Sequence, residues 1–162
     1  MEENLIKQRC CFTGHRPDKL GYTEAEIKPL LEKAIDSAIE GGYVTFISGM
    51  AKGTDIWAAE IVLEKKKKNK ALHLVCAIPH PGFINGRSAQ ERRRYENIIK
   101  NADKCVLVSD RCLPGCYQKR NIWMVDRSSG VIAVFNGTKG GTANTINYAK
   151  RHGLKIVNVL ER

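Results

Sequence analysis

The sequence predicts a three-layer α/β fold, in which helices cover both faces of a mainly parallel sheet of about six strands. Short apolar runs alternate with longer stretches of helical periodicity along the 162 residues. The apolar runs are rich in Val, Ile and Phe without strict polar alternation, which is typical of strands buried on both faces. Because no linker is long enough to divide the chain, we expect residues 1–162 to form one domain.

Six apolar runs are the candidate strands, and five periodic stretches are the candidate helices. The strands are predicted at residues 9–13, 44–48, 72–78, 104–109, 131–135 and 155–160. The helices are predicted at residues 23–40, 54–67, 88–101, 117–126 and 142–152. The first of these helices opens with a capping box, Thr23 with Glu26, and the third opens with the same Ser-x-x-Glu pattern.

Charge and hydropathy limit the class of protein. Lys and Arg outnumber Asp and Glu by 27 to 17, and the net charge of +10 raises nucleic acid as a partner. Lysines 65–68 fall at a helix end and arginines 92–94 on a polar helical face, with no interleaved aromatic residues, so solvated charge is the favoured interpretation. The polar, acidic start is unlike a secretory signal, and we expect a cytoplasmic protein with no membrane partner.

The chain has six cysteines. Cys11, Cys76 and Cys105 lie in apolar runs, where a reduced thiol acts as a small hydrophobic side chain. Cys112 and Cys116 have a suggestive spacing, but no second such pair and no nearby paired histidine completes a zinc set. We expect two unrelated loop thiols, no metal and no cofactor, with a metal site or a regulatory disulfide as the alternative.

The loops that follow parallel strands meet at the carboxyl edge of a sheet, where ligands bind. After the first predicted strand comes T-G-H-R-P-D, in which Gly14 permits a tight turn and Arg16 offers a planar fork for phosphate or carboxylate. His15 is open to three interpretations: an acid or base, a donor to a ligand, or a structural hydrogen-bonding group.

Two glycine-rich turns follow the second and fifth strands. In S-G-M-A-K-G-T-D, we expect Gly49 and Gly53 to leave room for a ligand, and the N–H groups near Gly53 and Thr54 to form an anion cradle. Asp55 fits either a ribose contact or a partner of the helix dipole. The second turn is F-N-G-T-K-G-G-T-A-N-T, and neither turn is a Walker motif or G-x-G-x-x-G. Together with Arg16, they predict a site for a phosphorylated small molecule.

The predicted site residues all follow strands or begin helices. The ligand-binding set is Thr13, Gly14, His15, Arg16, Ser48, Gly49, Gly53, Thr54, Asp55, Arg120, Asn121, Gly137, Gly140, Gly141, Thr142, Asn144 and Thr145. Catalytic residues are not identified, and the candidates are Arg120 and Asp55. No contact is predicted from the loop at 79–87, where His80 is ambiguous.

These motifs resemble the SLOG superfamily, which is named for the Smf/DprA DNA-processing proteins and the LOG phosphoribohydrolases, and more closely its YpsA-like family of bacterial proteins of unassigned function. The resemblance rests on T-G-H-R-P at 13–17, S-G-M-A-K-G-T-D at 48–55, K-R-N-x-x-M-V-D at 119–126 and G-G-T-A-N-T at 140–145. It implies a Rossmann-like domain that binds a nucleotide or nucleotide-derived ligand. The chain departs from the family at H-P-G-F-I-N-G-R, where the family tends to carry Gln and Trp.

The resemblance also bears on catalysis. In LOG enzymes an arginine and an acidic residue take part in cleaving a base from a ribose phosphate, and the matching positions here are Arg120 and Thr145. A threonine cannot act as the carboxylate that such a cleavage requires. This argues against LOG-type hydrolysis unless Asp55 or Asp18 supplies an acid.

Three functions follow, in order of preference. The first is binding of AMP, ADP-ribose or an NAD-like metabolite at the carboxyl edge of the sheet, as a sensor or regulator. The second is a nucleotide N-glycosidase or phosphoribohydrolase, and the third is single-stranded DNA binding, as in DprA relatives. Whether the protein is an enzyme stays open, and its size leads us to expect a homo-oligomer.

Overall fold

The computed structural model describes residues 2–161 and confirms the predicted alternation of strands and helices. In chain order the elements are α1 (Glu2–Lys7), β1 (Arg9–Gly14), α2 (Pro17–Leu20), α3 (Glu24–Glu40), β2 (Thr45–Ser48), α4 (Thr54–Lys66), β3 (His73–Ile78), α5 (Ala89–Asn101), β4 (Lys104–Leu107), α6 (Cys116–Asp126), β5 (Gly130–Val134), α7 (Gly141–Arg151) and β6 (Lys155–Asn158). The sequence patterns therefore located every described strand.

The six strands form one sheet in the order β4-β3-β2-β1-β5-β6, and every neighbouring pair is parallel. The chain moves outward from β1 to β4, and then returns so that β5 pairs with the free side of β1. The direction of the strand order thus reverses between β1 and β5. In open α/β sheets of this Rossmann-like kind, ligands bind beyond the carboxyl ends of the strands at this point of reversal.

Helices cover both faces of the sheet, as predicted. Side chains of α3, α4 and α5 form one apolar core with the first face, and α6 and α7 form a second core with the other. Consecutive residues of β1 show the division, because Phe12 belongs to the first core and Cys11 to the second. No helix within residues 2–161 combines the length and the apolar character needed to cross a bilayer.

The prediction that the strands are buried on both faces is wrong at the two edges of the sheet. Strands β4 and β6 each pair on one side only, and all of their residues are exposed or half-buried. Cys105, which was expected to be a buried hydrophobic residue, is therefore an exposed thiol on β4, whereas Cys11 and Cys76 are buried as expected. All six thiols are free.

Two short helices escaped the sequence patterns. Helix α1 precedes the first strand, and α2 is a single turn within the loop after β1. Pro17 occupies the first position of α2, where its fixed φ suits a helix and its missing N–H costs nothing. A helix of four residues is too short to show a helical period, so the sequence T-G-H-R-P-D by itself indicates only a loop.

The helices begin in two different ways. The predicted capping box of α3 is present, since Thr23 accepts the N–H of Glu26 and Glu26 accepts the N–H of Thr23. Ser88 likewise accepts the N–H of Glu91 at the start of α5. Three other helices, α4, α6 and α7, begin without a side-chain cap, at Gly53, Gly115 and Gly140. At the start of these three helices no side chain caps the first N–H groups, which lie at the carboxyl edge of the sheet.

An ionic cluster joins α3, α4 and α5 on the first face. Arg94 donates two hydrogen bonds to Glu24, of 2.8 and 2.9 Å, and two to Glu60, of 3.0 and 2.6 Å. Arg94 was predicted to lie on a solvated face, but only 30% of its side chain is exposed. The hydrogen bonds from Arg94 hold the pKa of Glu24 below its usual value.

We expect Arg94→Ala to lower the free energy of unfolding by about 1 kcal/mol near neutral pH, because the cluster is bidentate but partly screened by solvent. The folded pKa of Glu24 is depressed, so this stability is present above the unfolded pKa and is lost as the pH falls through the folded one. Urea unfolding of both proteins across the acidic range should show the difference shrinking. The matched control is Arg93→Ala, an exposed neighbour on α5, and a pH-independent difference or an equal loss in the control would contradict the prediction.

Candidate functional site

A cavity of about 560 Å³ opens at the carboxyl edge of the sheet. Its wall is formed by the end of β1, by the loops after β1, β2 and β3, by the first turns of α4 and α7, and by the first two turns of α6. The sequence-predicted residues that line this cavity are Thr13, Gly14, His15, Arg16, Asp55, Arg120, Asn121, Gly141 and Thr142. The fold therefore gathers residues from four of the predicted motifs around one space.

The remaining predicted residues lie nearby but outside the wall that the described residues form. They are Ser48, Gly49, Gly53, Thr54, Gly137, Gly140, Asn144 and Thr145. Most of them pack within or behind the same loops, so a ligand contact from these positions stays a prediction.

The room beside Gly49 and Gly53, which the sequence analysis assigned to a ligand, is filled by protein. A Cβ atom on Gly49 would lie 2.8 Å from the guanidinium carbon of Arg120, and one on Gly53 would lie 2.8 Å from Pro17 Cδ. Gly53 also has a φ of 89°, which side chains rarely adopt. These two glycines therefore allow the loops after β1 and β2 and helix α6 to pack against one another.

Arg120 is the buried cation of the site. It extends from the second turn of α6 and is only 5% exposed. Its Nη1 donates a hydrogen bond to the carbonyl of Gly49, and its Nε donates to Asn121 Oδ1 at 2.8 Å. The guanidinium carbon lies 5.9 Å from the ring centroids of both Phe83 and Tyr117. The charge is thus held by a carbonyl, an amide and two aromatic rings.

Asp55 is the buried carboxyl group in the same wall, and it is also 5% exposed. Its Oδ2 accepts the N–H of Ala51 at 3.1 Å, so it ties together the loop that precedes α4. Burial raises the pKa of Asp55, while the positive charge of Arg120 acts in the opposite direction. Asp55 therefore has a structural role in holding this loop, and it also faces the cavity.

Met50 holds the loop after β2 in an unusual shape. Its φ is +61°, which is rare for a residue with a side chain and costs about 1–3 kcal/mol. Two hydrogen bonds support the strained residue: Ser48 Oγ accepts its N–H at 3.2 Å, and its carbonyl accepts Arg87 Nη2 at 3.1 Å. The sequence analysis gave Met50 no role, since no local signal marks a left-handed methionine.

His15 is buried and largely committed to protein contacts, although it lines the cavity. Its ring packs 5.3 Å from the ring of Phe135, and its Nε2 lies 3.5 Å from Thr138 Oγ1. Burial lowers the pKa of His15, and the positive charge of Lys19 lowers it further. His15 is therefore a neutral hydrogen-bonding group at neutral pH rather than a fixed cation.

Cations outnumber acids around the cavity. Five of the lining residues are cationic, namely Arg16, Lys19, Lys52, Arg87 and Arg120, and two are acidic, Asp18 and Asp55. The first turn of α7 reaches the same space with Gly141 and Thr142, and its N-cap Gly140 supplies no side-chain hydrogen bond. A cationic wall that includes an uncapped helix start favours an anionic ligand.

The loop after β3, from which no contact was predicted, contributes an aromatic and cationic side to the cavity. Phe83 and Arg87 line it, with the guanidinium carbon of Arg87 4.4 Å from the Phe83 ring centroid. Tyr117 of α6 lies next to them, 6.2 Å from Phe83 between ring centroids, and is 44% exposed. An exposed aromatic ring among cations suits stacking with a planar ligand group. In the sequence, the Phe and the Arg of P-H-P-G-F-I-N-G-R were the residues that could have indicated this contribution to the cavity.

The residue at the position that matches the acidic residue of LOG enzymes offers no acidic group for catalysis. Thr145 is buried in α7 and its hydroxyl donates a hydrogen bond of 2.8 Å to the carbonyl of Gly141. Its neighbour Asn144 is exposed and carries no carboxylate. Among the residues that line the cavity, Asp18 and Asp55 carry the carboxyl groups.

The chain is similar in sequence to one protein family and to known bacterial proteins. A family model described as the YspA SLOG family matches residues 10–158. Protein YoqJ, derived from the SPbeta prophage of Bacillus subtilis, is 33% identical over 118 residues, which cover 65% of this chain and 69% of YoqJ. A UPF0398 protein of Bacillus pumilus is 26% identical over 138 residues, which cover 80% of this chain and 74% of that protein.

Solved structures share the fold. DNA processing protein A (DprA) of Streptococcus pneumoniae matches 94% of this chain with a TM-score of 0.66 and 18% identity. DprA of Helicobacter pylori, whose structure describes a single-stranded DNA binding mode, matches 96% with the same TM-score and identity. This chain spans 50% of the first DprA chain and 66% of the second. At this identity the likeness shows a common fold.

We expect Gly14→Ala to lower the free energy of unfolding by about 1–3 kcal/mol through overpacking. The added Cβ would lie 2.2 Å from Thr54 Oγ1 and 2.6 Å from Thr54 Cβ, so the start of α4 must move away from β1. Chemical denaturation measures the loss. Gly41→Ala, where the nearest atom is 3.4 Å away, is the control and should change stability little. A Gly14→Ala protein as stable as this control would show that the contact between β1 and α4 is loose.

Proposed function

The chain belongs to the YspA SLOG family, and from this premise we propose that it binds a nucleotide-derived metabolite, such as AMP, ADP-ribose or an NAD-like dinucleotide, as a sensor or regulator. One observation carries the proposal. A single cavity beside the reversal of strand order combines a cationic wall, an uncapped helix start and an exposed tyrosine ring. These three features match the phosphate and the base of a nucleotide.

The phosphate groups are assigned to the side of the cavity formed by the loop after β1 and the first turn of α7. Arg16 is exposed there and has no ion-pair partner among the side chains of residues 5–161, so its fork is free for a phosphate. The N–H groups of Gly141 and Thr142 add donors at the positive end of the helix dipole. A phosphate at this place would meet charge and hydrogen bonds together.

The base is assigned to the opposite side, on the ring of Tyr117. This ring is exposed, whereas Phe83 behind it is almost buried, so Tyr117 offers the stacking surface. A cavity of about 560 Å³ falls in the range of about 300–1,000 Å³ that is usual for small-molecule sites. The size therefore accommodates a nucleotide.

Binding is preferred over cleavage because Thr145 cannot replace a carboxylate. A specific observation nevertheless supports a nucleotide N-glycosidase as the second candidate. Asp55 is a buried carboxyl group in the cavity wall, and burial raises its pKa, which is a usual feature of general acids. The experiment below separates the two functions.

Single-stranded DNA binding ranks third. The Helicobacter pylori DprA structure describes such binding for that protein. In this chain some of the basic residues outside the cavity are paired with acids: Lys65 lies 3.0 Å from Asp36, and Lys66 contacts Asp103. Paired lysines release fewer counterions on binding, so they contribute less to affinity for a phosphate backbone.

We expect Arg16→Ala to weaken binding of AMP, ADP-ribose or NAD about 10- to 100-fold, because a charge-assisted hydrogen bond to phosphate is lost. Saturation-transfer NMR detects the bound ligand, and the same NMR spectra report any free base that is released. Calorimetry measures the affinity of the ligand. Arg93→Ala removes an equal charge from the outer face of α5 and should leave affinity unchanged. Equal weakening in both variants would mean that net charge, and not the cavity, sets the affinity.

Release of adenine or nicotinamide in proportion to protein concentration, abolished in Asp55→Asn, would replace the binding function by hydrolysis. If none of the three ligands binds while a labelled oligonucleotide does, and Arg16→Ala reduces that binding, the site serves single-stranded DNA. Failure of all four probes would overturn the proposal.

A further inference from the structure

Three potential metal ligands converge beside the cavity without lining it. They are His80 in the loop after β3, Cys112 in the loop after β4, and Cys116, the first residue of α6. One ligand atom from each residue lies within 4.8 Å of the other two. Strands β3 and β4 are neighbours in the sheet, and this pairing brings the two loops together.

The set of donors fits a zinc-like cation. Thiolate sulfur and imidazole nitrogen are preferred ligands of Zn²⁺, and the Cys-x-x-x-Cys spacing falls within the range found in zinc sites. Zinc bonds of about 2.0–2.3 Å in a tetrahedron separate the ligand atoms by roughly 3.5 Å. Closing the present cluster around an ion therefore requires movements of about 1 Å, which a surface loop can supply.

Two of the three potential ligands are buried, and the histidine also has a hydrogen-bonding partner. His80 and Cys116 are buried, while Cys112 is exposed. His80 Nε2 lies 3.4 Å from the hydroxyl of Tyr117, and its ring packs edge-on against both Tyr117 and Phe83. Partners of this kind orient the imidazole of a metal-binding histidine.

We propose that His80, Cys112 and Cys116 bind one Zn²⁺-like ion, with the fourth position open to water. The ion joins the loop after β4 to the loop after β3 and holds the first turn of α6. Because Tyr117 and Arg120 extend from that part of α6 into the cavity, occupancy of the metal site supports the aromatic side of the cavity. The inference stands on its own residues and does not depend on which ligand the cavity holds.

A disulfide between Cys112 and Cys116 is the competing use of the same thiols. A disulfide needs only the two sulfurs, and it leaves the buried imidazole of His80 beside them unexplained. A metal ion uses all three groups and requires both thiols in the reduced state, as they are here. The convergence of a histidine on the pair is therefore what favours the metal.

The test is a Co²⁺ titration of the full chain, stripped with a chelator and kept in a non-thiol reductant. We expect one Co²⁺ per chain, with thiolate-to-cobalt charge-transfer absorption and the intense visible bands of four-coordinate cobalt, both displaced by Zn²⁺. Cys112→Ser and Cys116→Ser should lose the charge-transfer absorption, and His80→Ala should weaken binding at least tenfold. Cys105→Ser and His152→Ala remove an exposed thiol and an exposed histidine elsewhere and should bind as the unmodified chain does.

Cys112 is exposed, so the Cys112→Ser protein should fold. Circular dichroism would reveal whether the change at buried Cys116 disturbs the structure. If it does, the Cys112→Ser protein keeps the test valid. No charge-transfer absorption in the reduced, unmodified chain would overturn the proposal. Unchanged affinity in His80→Ala would also overturn it, by reducing the site to an adventitious dithiol. A Cys112–Cys116 disulfide on mild oxidation, found by mass spectrometry in a chain that fails to bind Co²⁺, would assign the pair to redox chemistry.

Discussion

The buried guanidinium of Arg120 is the constraint on which the arrangement of the site depends. A charge removed from water must be surrounded by groups that replace its hydration. Here the carbonyl of Gly49, the amide oxygen of Asn121 and two aromatic rings do so. A Cβ atom at position 49 would lie 2.8 Å from the guanidinium carbon, so a side chain there would displace Arg120 from its present place. Arg120 reaches this place because α6 lies within the connection that returns from the edge strand β4 to the central strand β5.

The helices begin in two ways, and the two kinds of helix start have different tasks. Helices α3 and α5 satisfy their own first N–H groups with Thr23 and Ser88, and the cluster around Arg94 joins them to α4. These capping hydrogen bonds and this ionic cluster stabilise the packing of α3, α4 and α5. Helices α4, α6 and α7 begin at glycine caps, where donors and side chains can be directed at a ligand. The chain thus separates the residues that hold the layers together from those that form the cavity.

The start of α6 connects the cavity with the proposed metal cluster. Cys116 belongs to the cluster, and the next residue, Tyr117, both lines the cavity and contacts His80. The cavity and the proposed metal cluster therefore share the first turn of α6. The loop after β3 takes part in both, through His80 and Phe83.

The sequence by itself determined the alternation of strands and helices, the cap of α3 and the meeting of several motifs at one edge, because each depends on residues close together in the chain. Only the tertiary structure decided that Cys105 lies on an edge strand, that Arg120 fills the space beside Gly49, and that His80 approaches Cys112 and Cys116. These facts follow from the strand order and from the crossover through α6. They are relations between distant segments, and periodicity and spacing within one segment carry no information about them.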